Sequence, residues 1–296
     1  MARFARRDLL LLLAGLGLFP AVYLGVQWKA NGERHGQGDA EPFRIAGNFY
    51  FVGASDVSIF LITGPDGHVV IDGGYPIMAP MIVASIAKLG FDIKDVKALL
   101  NTEPRPELAG GLAALQQMSG AKLWTSDVNA AVLAAGGDDP DAALPIRVAA
   151  SLGIFGFPAP RVDHTFRDGD TIRVGPIAVT AHTTGGGARG CTTWTFPVSD
   201  GERALNVVHA CGLGVTMGFR YREQTADIER SLRVLRSLPA DIWVTPHGRS
   251  WGRYRKFVAS AAAKNPRDRV AVFVDREGYR EFVDAAEAEF RGGVVH

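Results

Sequence analysis

The residues best equipped for chemistry crowd into one short stretch, Asn101-Thr-Glu-Pro-Arg-Pro-Glu-Leu-Ala-Gly-Gly111. Two carboxylates, Glu103 and Glu107, flank one guanidinium, Arg105. Carboxylates work as acid–base groups or as oxygen donors to a metal. A guanidinium carries N–H donors and no acceptor, so Arg105 cannot ligate a metal but can pair with carboxylates bidentately. Pro104 and Pro106 fix φ and stiffen the stretch. The remaining donors are scattered: His247 in Thr245-Pro246-His247, the two cysteines Cys191 and Cys211, and the single histidines His164, His182 and His209. His164 and His209 have no spaced partner and read as surface or satisfied core residues. Gly248-Arg-Ser250-Trp-Gly252 fits a serine nucleophile elbow, but that arrangement needs an acid and then a histidine further along, and only His296 follows; it reads as a plain loop. Ser85-x-x-Lys88 and Ser119-x-x-Lys122 lack the companion motifs of serine lactamases and read as chance matches. Gly185-Gly-Gly187 could cradle an anion, though no helix pattern follows it.

The elements around these residues place them. The apolar run Val96–Leu100 predicts a buried strand before the loop, and Leu112–Met118 a helix after it. The loop then lies at the carboxyl edge of a sheet, where a rigid scaffold holds functional side chains. From Phe43, short apolar runs separated by turn residues predict a meander: Phe43–Ile45, Phe49–Val52, Ser58–Thr63 and His68–Ile71, ending in Asp72-Gly-Gly74. A helix follows from Pro76 to Leu89, with Ile77, Met81, Ile82, Ser85 and Ile86 on one face and Gly90 as its stop. Lys122–Thr125 is a further strand and Val128–Ala135 a short helix. Residues 136–160, rich in Gly, Pro, Ala and Asp, mark a midpoint. Strands resume at Thr171–Val174 and Ile177–Ala181. A hairpin of Thr192–Val198 and Ala204–His209 turns at Asp200-Gly201, and a Thr225-capped helix follows with Ile228, Leu232 and Leu235 inward. Asp241–Thr245 is a strand, and Tyr279, Phe282, Val283, Ala286 and Phe290 form the core face of a closing helix. The hairpin brings Cys191 and Cys211 within about one residue of facing each other. They either bond or stay inert; a one-residue offset puts them on opposite faces and favours two inert core cysteines.

The frame of the central loop, Leu-Leu-Asn-Thr before and Ala-Gly-Gly after, resembles that of the metallo-β-lactamase superfamily, as does Val-Val-Ile-Asp-Gly-Gly ending at Gly74. The likeness covers about residues 43–290 and is closest to the third subclass of metallo-β-lactamases. It implies a four-layer αβ/βα sandwich, an α+β fold of two sheets face to face with helices outside, formed by residues 42–296. In the family the loop reads His-x-His-x-Asp-His and holds zinc. Here Glu103, Arg105, Glu107 and Leu108 stand at those four places, and Gly187 stands where a further zinc histidine belongs. His247 matches the last zinc ligand. Asp72 and His182 match positions that are structural in the family. Two readings follow. In one, an Arg105–glutamate cluster replaces the metal and the cleft binds a small-molecule ligand without catalysis. In the other, at most one zinc is held by Glu107, Cys211 and His247, near the place where other subclasses use a cysteine, and hydrolysis of a β-lactam survives with Glu107 and His247 as catalytic groups.

Composition and ends complete the reading. The chain has 296 residues, 47% of them hydrophobic, and a formal charge of +1. No basic tract rich in aromatics favours a nucleic-acid partner. Residues 1–29 resemble a twin-arginine export signal or membrane anchor, with Arg6-Arg7 before the apolar run Leu9–Val26. Residues 30–41 are a polar linker. The expected location is periplasmic, with membrane contact only through the N-terminal segment.

Overall fold

The computed structural model describes residues 38–151, 156–201, 203–213 and 220–292. The export segment and most of the linker lie outside the described residues. Strands β1 (Phe43–Ala46), β2 (Phe49–Phe51), β3 (Phe60–Ile62), β4 (His68–Ile71), β5 (Val96–Leu100), β6 (Lys122–Ser126) and β7 (His164–Phe166) form one sheet in sequence order. Its first four strands are antiparallel, and β4 to β7 run parallel. A second sheet has the order β12-β11-β10-β9-β8, from β8 (Thr171–Val174), β9 (Ile177–Thr183), β10 (Thr192–Asp200), β11 (Arg203–His209) and β12 (Ile242–Val244). Only its β11–β12 pair is parallel.

Side-chain alternation explains the layering. In β3 and β4, Phe60, Ile62, Val69 and Ile71 enter the core shared with the second sheet, beside Val179, Trp194, Phe196 and Val207. Their alternates Leu61 and Val70 face the other way, onto helices α1 (Ala79–Lys88), α2 (Pro106–Ala109) and α3 (Leu112–Ser119). A sheet covered on both faces needs apolar residues at both alternates, hence the continuous runs. Beyond α4 (Ala130–Ala134) and α5 (Leu144–Ser151), helices α6 (Gln224–Ser237), α7 (Arg253–Ala262), α8 (Pro266–Ala271) and α9 (Arg276–Arg291) complete the chain. Ile228, Leu232 and Leu235 of α6 and Tyr279 and Val283 of α9 cover the outer face of the second sheet. The result is the expected sandwich of helix, sheet, sheet and helix.

Several local expectations change. The first predicted helix begins as a tight turn at Pro76–Met78, which leaves Ile77 72% exposed while Met78 and Ala79 take the inward places. Thr225 lies inside the first turn of α6, whose cap position is Glu223. Helices α7 and α8 occupy a stretch between Gly252 and the closing helix to which the sequence pattern assigned no element. Among the described residues, no helix is long and apolar enough to cross a membrane.

Candidate functional site

The central loop is fastened from four sides, and its own residues supply the fasteners. Asp72 leaves β4 in the left-handed region at φ 67°, its amide on the Leu100 carbonyl at 2.8 Å. Its Oδ1 accepts the Thr102 amide at 2.7 Å. Asn101 donates from Nδ2 to the Glu103 carbonyl at 2.8 Å. The Thr102 carbonyl accepts the Thr192 amide of β10 at 3.0 Å, and its hydroxyl accepts the Trp194 indole at 3.1 Å, so the loop ties both sheets together. The Gly pairs 73–74 and 110–111 lie backbone to backbone: a Cβ on Gly111 would meet the Gly73 carbonyl at 2.1 Å. Pro106 starts the short α2, and Arg105 before it is extended, as a residue preceding proline must be.

Arg105 sits at the centre. Its Nε donates to Glu103 Oε2 at 3.2 Å and its Nη2 to the Gly187 carbonyl at 2.5 Å. Both charged side chains are nearly buried, at 12% and 11% exposure. The guanidinium therefore joins the three positions, 103, 105 and 187, that the resemblance marked as a metal's ligands. Burial raises the Glu103 pKa above its ordinary value, and Arg105 pulls it back. Burial likewise lifts Asp72 to about 8, outweighing its bonds to Thr102. Tyr75 is pushed up to about 12 by burial, then by Glu107 and Asp56. Leu108 is fully buried among apolar side chains and offers no donor. His247 is exposed; its amide reaches Thr245 Oγ1 at 3.3 Å. His182 Nε2 bonds Thr195 Oγ1 at 2.8 Å across the β9–β10 pair.

Three readings of the sequence need correction. Cys191 and Cys211 are disulfide-bonded, with Cα atoms 6.0 Å apart, and are not two inert thiols. The opposite-faces rule fails because both lie just past the ladder: β10 starts at Thr192, β11 ends at His209, and the Cys211 amide already bonds the Thr193 hydroxyl. Consequently Cys211 has no thiolate to join Glu107 and His247, and that one-zinc set is not assembled. The carboxylate beside the cysteines is Glu103, 3.7 Å from Cys191 Sγ, instead of Glu107. Finally, His209 is neither a surface nor a satisfied core residue. It is buried, edge-on to Phe60, with neither ring nitrogen hydrogen-bonded, and burial lowers its pKa to about 3.

In the Gly185–Gly187 run the Gly186 amide bonds the Ala188 carbonyl at 3.2 Å. The carbonyls of the run are all engaged: Gly185 with Ser231, Gly186 with Gln224 and Gly187 with Arg105. Ser250 is an exposed loop residue. One feature had no local signal at all. Arg189 grips Asp141 through two bonds, 3.0 and 3.1 Å, and Glu223 through a third at 2.8 Å, above the Tyr221 ring. It pins the segment before α5 to the start of α6. Such a contact spans about fifty residues and shows no periodicity.

The model of the Metallo-beta-lactamase superfamily matches residues 52–200. The chain belongs to the metallo-β-lactamase superfamily. Among solved structures it resembles Rm3 metallo-β-lactamase, at 35% identity over 86% of this chain and 94% of that one, with a TM-score of 0.79. FEZ-1 metallo-β-lactamase from Legionella gormanii is 31% identical over 86% and 96% of the two chains, TM-score 0.79. BJP-1, a subclass B3 metallo-β-lactamase of Bradyrhizobium japonicum, is 25% identical over 87% and 94%, TM-score 0.76. The superfamily and subclass suggested by the loop frame are thus the right ones. The zinc centre that this family implies does not fit the residues present. A cation already fills one triad of positions, Leu108 supplies no donor, and Cys211 is oxidised. Zinc needs at least three imidazole, thiolate or carboxylate ligands around one point.

Proposed function

We propose that this protein has lost the family's two-zinc hydrolysis and uses the remaining cleft to bind a small molecule. One observation carries the reading: the Arg105 guanidinium, bonded to Glu103 and to the Gly187 carbonyl, lies where the family's metal would require neutral or anionic donors. A fixed positive charge opposes a divalent cation at that spot, and it neutralises Glu103 as the metal would. The loop keeps its family shape because the ion pair takes over the metal's charge balance. Fold alone does not carry function across, since the site decides the chemistry. The proposal includes export to the periplasm by the Arg6-Arg7-led segment; a disulfide at Cys191–Cys211 suits an oxidising compartment. The test is hydrolysis of a chromogenic cephalosporin such as nitrocefin by the purified protein, with and without added zinc. The expected result is no turnover above background in either case. Turnover that rises with zinc to a stoichiometric plateau overturns the proposal and restores a hydrolase.

A further inference from the structure

We propose that reduction of the Cys191–Cys211 disulfide creates a site for one soft divalent metal ion, held by both thiolates and the Glu103 carboxylate. Among the described residues, these three side chains form the one group of potential ligands whose donor atoms all lie within 4.8 Å of one another, and all three are buried. The set differs from the one-zinc set considered above: it keeps Cys211, but Cys191 and Glu103 take the places of Glu107 and His247.

The geometry suits a tetrahedral ion. With metal–sulfur bonds near 2.3 Å and metal–oxygen bonds near 2.1 Å, the edges of such a tetrahedron are roughly 3.5–3.8 Å. The Glu103 Oε2 to Cys191 Sγ distance is already 3.7 Å. The two sulfurs must part, and the Cys211 Sγ to Glu103 separation, within 4.8 Å, must settle to the same edge length. Glu103 Oε2 faces both Arg105 Nε and Cys191 Sγ; it can serve both, because a carboxylate oxygen has two lone-pair sites and one remains for the metal. Two thiolates also supply the negative charge needed to hold a divalent cation near Arg105, which the oxidised site lacks. Thiolate-rich donor sets select zinc and softer ions over magnesium or calcium.

The steps balance. A dithiol reductant gives two electrons and two protons to the disulfide; the S–S bond breaks, two thiols form, and the reductant leaves as its own disulfide. The metal then replaces the two thiol protons, which pass to solvent. The site is therefore closed in the oxidised chain and open in the reduced one. This goes beyond the loss of two-zinc hydrolysis, which concerns the oxidised protein.

The test is cobalt(II) titration of the folded protein before and after reduction by a water-soluble phosphine. The phosphine becomes a phosphine oxide, taking the oxygen of water as the two protons go to sulfur. The expected result is a thiolate-to-cobalt charge-transfer band and tetrahedral visible bands that saturate at one equivalent in the reduced protein and are absent from the oxidised one. Zinc should bleach them. Cys191→Ser and Cys211→Ser should lose the charge-transfer intensity of one sulfur each. Glu103→Gln should bind at least the roughly tenfold more weakly that loss of even a supporting group costs. His247→Ala should bind normally. Circular dichroism of each reduced sample checks that it is folded; for a variant that is not, the wild-type oxidised–reduced comparison alone decides. No band in folded, reduced wild-type protein overturns the proposal, as does a band lost in His247→Ala but kept in Glu103→Gln. Metal uptake by the oxidised chain would instead count against the preceding section.

Discussion

Replacing Arg105 by Met should expose what its charge does. The variant keeps the length and apolar stem but leaves Glu103 buried without its partner. Removing one member of a buried pair costs about 3–5 kcal/mol when the other must stay charged. Glu103 can escape by taking up a proton, so the penalty has a ceiling set by pH. Its ordinary pKa is 4.5. Each pH unit above that value costs about 1.36 kcal/mol to keep it protonated in the folded state. At about pH 7.5 the ceiling is then roughly 4 kcal/mol, and at about pH 5 it falls below roughly 1 kcal/mol. The sign follows from the raised folded pKa: the group's contribution is intact below 4.5 and is lost as pH rises. A cost of about 3 kcal/mol lowers Tm by roughly 6–12 °C in a domain of this size. Thermal unfolding of wild type, Arg105→Met, Glu103→Gln and the double variant at the two pH values measures it. The double variant should recover much of the loss, because no buried carboxylate remains. An Arg105→Met loss that is the same at both pH values, or absent, would refute the reasoning.

Three other outcomes are expected. Asp72, with its pKa raised to about 8 from 3.8, keeps its proton in the folded state while the unfolded chain releases it, so its contribution is lost as pH rises between these values. Asp72→Asn, which tolerates φ 67°, should flatten the fall in stability over that window in pH-dependent urea melts. His209→Leu should stabilise the protein by about 1–3 kcal/mol, because it removes buried ring nitrogens that have no partners. It should also remove acid sensitivity between the ordinary histidine value of 6.5 and about 3, where the wild type loses stability as pH falls. Arg189→Ala should speed amide exchange in residues 139–148 and 220–224 while leaving exchange in β4 and β5 unchanged.

The strands and helices were legible because short local patterns carry them, whereas the four-layer arrangement was implied only by the resemblance of the loop frame. Doubly buried strands such as Val96–Leu100 show as apolar runs, while the packing of the glycine pairs 73–74 and 110–111 against each other emerged only from the structure. The Arg105 cluster was also foreseeable, since a guanidinium between two glutamates has few other uses near a sheet edge. The expectation named Glu103 and Glu107 together as its carboxylates, and the Glu103 bond to Arg105 Nε at 3.2 Å is the part the structure bears out. The disulfide was misjudged because strand alternation was extended past Thr192 and His209, where the ladder has already ended. His209 was misjudged for a different reason. A strand pattern shows that a residue is buried, but not whether its polar atoms find partners there. The Arg189 clamp joins three loops distant in sequence, and nothing local encodes such a meeting.

Calorimetric titration of the oxidised, folded protein with zinc tests the central claim most directly. The account predicts no tight binding at pH 7, because Arg105 holds the position a metal would need. Two equivalents bound with high affinity, lost again on Glu107→Gln or His247→Ala, would contradict it.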